Sequence, residues 1–198
     1  MIRSDEEKRT IIVHEILIPS LKRLYAVDYD NIRFGVSERN ICARLAYHME
    51  NLMRRYDEVS GDGLFHDYFA DVEYNRMGNG DLKHYENSAH RPVYMVSDLL
   101  IQTRGYGRNY LAVEMKRKGN RRNVDEDKER LMSLVSSPPN YEQAHKCVYD
   151  TLVGAFIEYS KKGVCVELFE NVEGRGVNTE NIVLTYRQDD AGQGSLTL

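Results

Sequence analysis

The chain predicts a mixed α/β fold (α+β mixed) of three layers, with a central mixed β-sheet flanked by helices, and three observations carry that expectation. Two stretches place apolar residues at helical spacing behind a serine that can cap them, at Ser4 and at Ser37. Several others are apolar, β-branched or aromatic and bounded by Gly, Asn and Pro, as strands are. The order from Ser37 onward is helix, three strands, helix, strand, which calls for a mixed sheet covered on both faces.

Taken in order, "SDEEKRTIIVHEILIPSLKRLY" reads as one N-terminal helix, bent at Pro19. "SERNICARLAYHMENLMRRY" is a clearer helix, with Cys42, Leu45, Met49 and Leu52 at alternating steps of three and four; one turn back, the stripe reaches Glu38. "HDYFADVEYNR" alternates as a strand, with Asp71, Glu73 and Asn75 on one face and Tyr74 and Arg76 on the other. A long loop from Met77 to Arg91 follows. Strands are expected at 93–101 and 110–117, joined through "RGYGRN", and a helix at "VDEDKERLMSLVSS", stopped by Pro138 and Pro139. "KCVYDTLVGAFIEY", "VCVELFEN" and "NIVLTYR" read as strands, and the tail beyond Gln188 as frayed. The organisation is thus a single domain over 1–198, with an N-terminal helical extension (1–36), a core (37–159) and C-terminal strands with a tail (160–198).

Composition narrows the classes of function. With 41% hydrophobic and 29% charged residues the chain matches a globular protein rather than a disordered or fibrous one. The first apolar run is interrupted by His14, Glu15 and Pro19, too early for a signal peptide or a membrane span, so a cytoplasmic protein without a membrane partner is expected. Cys42, Cys147 and Cys165 lack zinc-ligand spacing and read as buried thiols. A net charge of −4 argues against coating nucleic acid by bulk charge. Against that acidic background, Arg104, Arg108, Lys116, Arg117, Lys118, Arg121 and Arg122 fall in one run whose only carboxylate is Glu114, and read as one basic patch.

"VSDLLIQTRGYGRNYLAVEMKRKG" puts charge where strands favour Val or Ile. Glu114 and Lys116 share one strand face, while Leu111, Val113 and Met115 share the other. If the hairpin centres on Tyr106, opposed residues have numbers totalling 212, and Asp98 faces Glu114. Opposed Cβ atoms lie roughly 5 Å apart and like charges there are destabilising, so something positive is expected between them. A hard divalent cation meets that need with one or two carboxylates and retained waters. Acid-x-Lys also occurs at Glu6, Asp81 and Glu126, but there in a helix start, a Gly-rich loop and a helix N-terminus, not in an apolar strand beside a second acid.

These residues resemble the PD-(D/E)XK nuclease superfamily, the restriction-endonuclease-like fold, over roughly Ser37 to Tyr159. "SDLLI" supplies Asp98, "VEMK" supplies Glu114 and Lys116, and "SERN" supplies Glu38; Ser97 stands where the family name has Pro. The resemblance implies a restriction-endonuclease-like core at 37–159 and a Mg²⁺-dependent (or Mn²⁺-dependent) phosphodiester hydrolase acting on nucleic acid, DNA rather than RNA. Asp98 and Glu114 would ligate the metal, Glu38 would be an outer or second-metal ligand, and Lys116 would orient the water or stabilise developing charge. Arg104, Arg108, Arg117, Lys118, Arg121 and Arg122 would hold the phosphate backbone. A homodimer or a partner protein would supply specificity, since no helix-turn-helix or zinc finger is present. The alternative is an inactive nucleic-acid-binding or protein-interaction module on the same fold, its acids held with Lys116 and a nearby Arg as a structural ion cluster. His84, His90, Lys83 and Tyr85 in the long loop, and Tyr106 and Tyr110, are further candidates for contact with a bound strand.

Overall fold

The computed structural model describes residues 3–75, 84–86, 92–94, 96–104, 108–136, 151–172, 176–188 and 194–198, the side chains of 84–86, 92–94, 172 and 176 excepted. Ser4 caps the first helix, α1 (Asp5–Ile11), with a reciprocal capping box through Glu7. Wider π turns over Ile12–Leu17 then lead into α2 (Ile18–Val27). Pro19 brings no N–H to an α-type ladder, and the irregularity sits directly ahead of it. The single N-terminal helix expected from the sequence thus runs continuously from Asp5 to Val27 with its middle wound as π turns, and is followed by the short α3 (Tyr29–Phe34). Helix α4 (Glu38–Ser60) starts at Ser37, whose hydroxyl accepts from the Asn40 N–H at 3.3 Å, and ends at Gly61, where φ is 69°.

The main sheet has seven strands in the order β1 (Phe69–Val72), β4 (Leu99–Gln102), β5 (Asn109–Arg117), β6 (Thr151–Ser160), β7 (Gly163–Val172), β8 (Gly176–Gln188) and β9 (Gly194–Thr197). All neighbours are antiparallel except β5 and β6, which run parallel on either side of the helix α5 (Val124–Val135). In a separate pair, β2 (His84–Glu86) lies inside the stretch expected to be loop and meets β3 (Pro92–Tyr94) just beyond it.

Both faces of the sheet are covered. Leu131, Leu134 and Val135 of α5 pack with Leu100, Ala112, Phe156 and Phe169 on one side. The other face meets α1, the π turns, α2 and α4 in a larger core that includes Ile16, Leu21, Ile41, Met49, Val113 and Ile157. Burial of each such side chain contributes about 1.5–3 kcal/mol, and double coverage explains why β4 and β5 read as nearly unbroken apolar runs.

Four expectations are corrected. The strand expected at 93–101 is two elements, β3 and β4, in different sheets. The tail after Gln188 is not wholly frayed, because Gly194–Thr197 pairs with β8 and buries Leu196 against the core. Alternation in "VEYNR" stops at Val72, since Glu73 turns out of the strand with φ 52°. Cys42 is buried as expected, whereas Cys165 is only partly covered; Cys147 and His145 lie outside the described residues. Among the described residues no helix is long and apolar enough to cross a membrane.

Candidate active site

The hairpin register follows from two apolar runs meeting across a Gly-containing turn. Leu99 faces Val113, Leu100 faces Ala112 and Ile101 faces Leu111, so every pair totals 212. Asp98 stands one residue ahead of β4, at the level of Glu114. There its Oδ2 accepts from the Met115 N–H at 2.7 Å, and its carbonyl accepts from the Glu73 N–H at 3.2 Å. The turn tip, Tyr106 included, lies outside the described residues.

Burial dominates the electrostatics. Glu114 is only 2% exposed, and desolvation pushes its carboxyl up to about 8, with Asp98 adding to the rise and Arg130 opposing it. Burial also raises the Asp98 carboxyl; the Met115 N–H and Lys116 work against the shift, while Asp127 and Glu38 add to it. On the core side of the same corner, burial holds the Cys42 thiol above its usual range, reinforced by Asp98, Glu114, Glu38 and Glu73. Four carboxyl groups thus converge electrostatically on one end of the sheet.

Glu38 reaches that corner from the first turn of α4. Its Oε1 accepts from the Arg117 N–H at 2.9 Å and from Asn120 Nδ2 at 3.1 Å, so it ties the helix start to the end of β5. Glu73 accepts from Arg39 Nε at 2.7 Å. Its placement beside Asp98 comes from the left-handed turn at the end of β1, not from strand alternation.

Two further members come from α5. The Glu114 Oε1 accepts from Arg130 Nη1 at 2.7 Å, and the same nitrogen lies 3.3 Å from Asp127 Oδ1. Lys116 Nζ stands 3.0 Å from Asp127 Oδ2, close enough for an ion pair though not aligned as a hydrogen bond. Asp127 is 4% exposed. Its position in the first turn of a helix suggested only a favourable dipole interaction, yet it and Arg130 share the inward stripe of Leu131 and Leu134. That stripe was the available signal. The positive partner of Glu114 is, in the structure, the Arg130 guanidinium, while the cation that acts on Asp98 is Lys116.

The basic run does not form one patch. Arg104 pairs bidentately with Asp71, at 2.9 and 2.5 Å, and lies over the Phe69 ring; Arg108 bonds Asp5 at 2.6 Å. Both sit at the turn end of the hairpin. Arg117, Lys118, Arg121 and Arg122 are at the other end of β5, roughly 25 Å away for nine residues at strand rise. Arg117 donates to the Val36 carbonyl at 3.1 Å, and the side chains of Lys118, Arg121 and Arg122 are exposed. Tyr110 is mostly buried, stacked on Tyr68 at 3.8 Å between ring centres, which removes it as a base-stacking candidate. Lys83 and His90, and the side chains of His84 and Tyr85, lie outside the described residues.

The donor chemistry fits a hard, oxygen-seeking ion, since buried opposed carboxylates gain most from a cation and Mg²⁺ accepts as few as one or two of them. Among the described residues, however, no group of three or more His, Cys, Asp or Glu side chains is gathered closely enough to enclose one. Comparison with protein-family models, curated proteins and solved structures returns no match.

Proposed function

We propose that this chain is a metal-dependent phosphodiester hydrolase of the PD-(D/E)XK type, acting on nucleic acid and on DNA in preference to RNA. The observation that carries the reading is the register: the buried Glu114 and the half-buried Asp98 level with each other at the open end of a hairpin, with Lys116 one step along the face of Glu114. The helix, three antiparallel strands, helix and parallel strand over 38–160 support a restriction-endonuclease-like core, with the acids where α4 delivers Glu38.

Asp98 and Glu114 would hold Mg²⁺ or Mn²⁺, with Glu38 as an outer ligand; the ion supplies Lewis acidity toward the phosphodiester and a more acidic bound water. Lys116 keeps its proton, because Asp127, Asp98 and Glu38 outweigh its partial burial and raise its pKa. It therefore acts as a fixed positive charge toward a phosphoryl oxygen, and Asp127 sets where that charge sits. The exposed Lys118, Arg121 and Arg122 beyond β5 would meet the flanking phosphates.

The test is cleavage of labelled single-stranded, duplex and branched DNA, and of RNA, with Mg²⁺, Mn²⁺ or EDTA. Cation-dependent cutting should fall at least about 100-fold in Asp98→Ala and in Lys116→Ala. A second reading, an inactive nucleic-acid-binding or protein-interaction module, is favoured by one observation: Arg130 already occupies the place beside the Glu114 carboxyl that an ion would take. Binding without cutting under every cation would establish it and end the hydrolase reading.

A further inference from the structure

Beside the proposed site, on the α4 side of the sheet, α3 and the β6–β7 turn border an open cavity of about 370 Å³. Its walls carry Arg33, Arg117, Lys118 and Lys161, and no acidic residue contributes to the lining. Three of the four cations are exposed; Asp30 meets Arg33 at 3.5 Å across an exposed pair, and the Glu38 carboxylate accepts from the Arg117 N–H at 2.9 Å. Arg117 lies against Gly35, where a Cβ would stand 2.9 Å from its Nη1. Gly35 also has φ 77°, so the turn out of α3 favours glycine, whereas a Cβ there would need only the end of the Arg117 side chain to shift.

Phe34 lines the same cavity and is 70% exposed, with the Arg33 guanidinium 4.6 Å from its ring centre. An exposed aromatic ring set among cations is a stacking platform in an electropositive cleft, the pairing that single-stranded nucleic acid engages. Tyr159 also lines the cavity, with its hydroxyl buried beside the Arg117 guanidinium. The frame is firm: the Tyr25 hydroxyl lies 2.7 and 2.8 Å from the carbonyls of Ser160 and Gly163, and the Tyr29 hydroxyl donates to the carbonyl of Lys161 at 3.1 Å. The Lys118 N–H donates to the Tyr159 carbonyl at 2.8 Å, which joins this wall to the strand that carries Lys116.

We infer that this cavity is a subsite for one unpaired nucleotide of a nucleic-acid strand, with its base on Phe34 and its phosphate among Arg33, Lys118 and Lys161. The inference rests on the nucleic-acid reading above, and adds that the strand beside the site is single. Duplex bases are stacked on each other and cannot present a face to Phe34, so the ring discriminates between substrate forms.

The experiment is fluorescence anisotropy with internally labelled dT12 and with a 12-base-pair duplex, in EDTA. The proteins are wild type, Phe34→Ala, Phe34→Tyr and the double variant Arg33→Glu with Lys161→Glu; all three positions are exposed, and circular dichroism checks the fold. Phe34→Ala should weaken dT12 binding about 5- to 50-fold while changing duplex binding less than twofold, and Phe34→Tyr should restore it. The double variant should also flatten the dependence of affinity on salt, by about 0.7 per lost phosphate contact. Wild-type binding of dT12 by Phe34→Ala or by the double variant, equal losses on duplex, or no binding of dT12 by wild type would each overturn the subsite. Because EDTA removes turnover, a protein that binds this way and cuts nothing with Mg²⁺ retains the subsite and loses the hydrolase reading. One that cuts while Phe34→Ala binds normally does the reverse.

Discussion

The two ends of β5 carry the same kinds of charge in opposite surroundings. At the turn end, Arg104 with Asp71 and Arg108 with Asp5 are pairs that water reaches. At the other end, Arg130 with Glu114 and Lys116 with Asp127 join carboxyl groups that are 2% and 4% exposed. Exposed pairs contribute about 0–1 kcal/mol, whereas removing one partner of a buried pair costs about 3–5 kcal/mol. Similar distances therefore carry dissimilar energies, and the buried end is where the chain spends stability to hold charge.

The largest effect expected is Arg130→Met at high pH. At pH 9 the Glu114 carboxylate would be buried without its partner, and urea denaturation should show a loss of about 3 kcal/mol. At pH 5 the carboxyl is neutral in both proteins and the loss should shrink by up to about 1.4 kcal/mol, to that of a hydrogen bond from a charged donor. Equal losses at both pH values would mean that Glu114 does not titrate in this range.

A second effect, spread over several pH units, concerns wild type itself. The folded pKa of Glu114, about 8, lies above its ordinary value of 4.5, so between those limits the folded state binds more protons than the unfolded one. Its contribution to stability therefore falls as pH rises from 4.5 to 8, by at most about 1.4 kcal/mol per pH unit. Denaturation of Glu114→Gln in EDTA at pH 5, 6.5 and 8 should lack that part of the slope; parallel profiles would count against it. The smallest effect is expected at the turn end, where Arg108→Ala should cost less than about 1 kcal/mol and less still in 1 M salt. A larger, salt-insensitive loss there would erase the contrast between the two ends.

The legible features were the local ones. Strand alternation and a Gly-containing turn were enough to predict the register that brings Asp98 level with Glu114. Helical spacing anticipated the buried Cys42, Leu45 and Met49 and the place of Glu38. What sequence reasoning missed was longer in range or shorter in length. Arg130 reaches Glu114 only once α5 has docked, and no local pattern announces that contact. Asp127 satisfied a sufficient local explanation, the helix dipole, and its tertiary role stayed hidden behind it. The division of the basic run followed from strand length alone, because neighbours along the chain separate by a full strand. β2, β3 and β9 have only three or four residues each, too few for a periodicity to register.

The attachment of α5 to β5 resembles a plug with two pins. Asp127 and Arg130, three residues apart on a helix, meet Lys116 and Glu114, two residues apart on a strand. The axial spacing of the first pair is about 4.5 Å and that of the second about 6.6 Å, so the two contacts close together in one seating only. A slide of one helical turn, about 5.4 Å, would strand both buried acids at once. Gradual displacement of this helix is thereby penalised, and whatever draws Arg130 away from Glu114 has to release α5 as a unit or leave it seated.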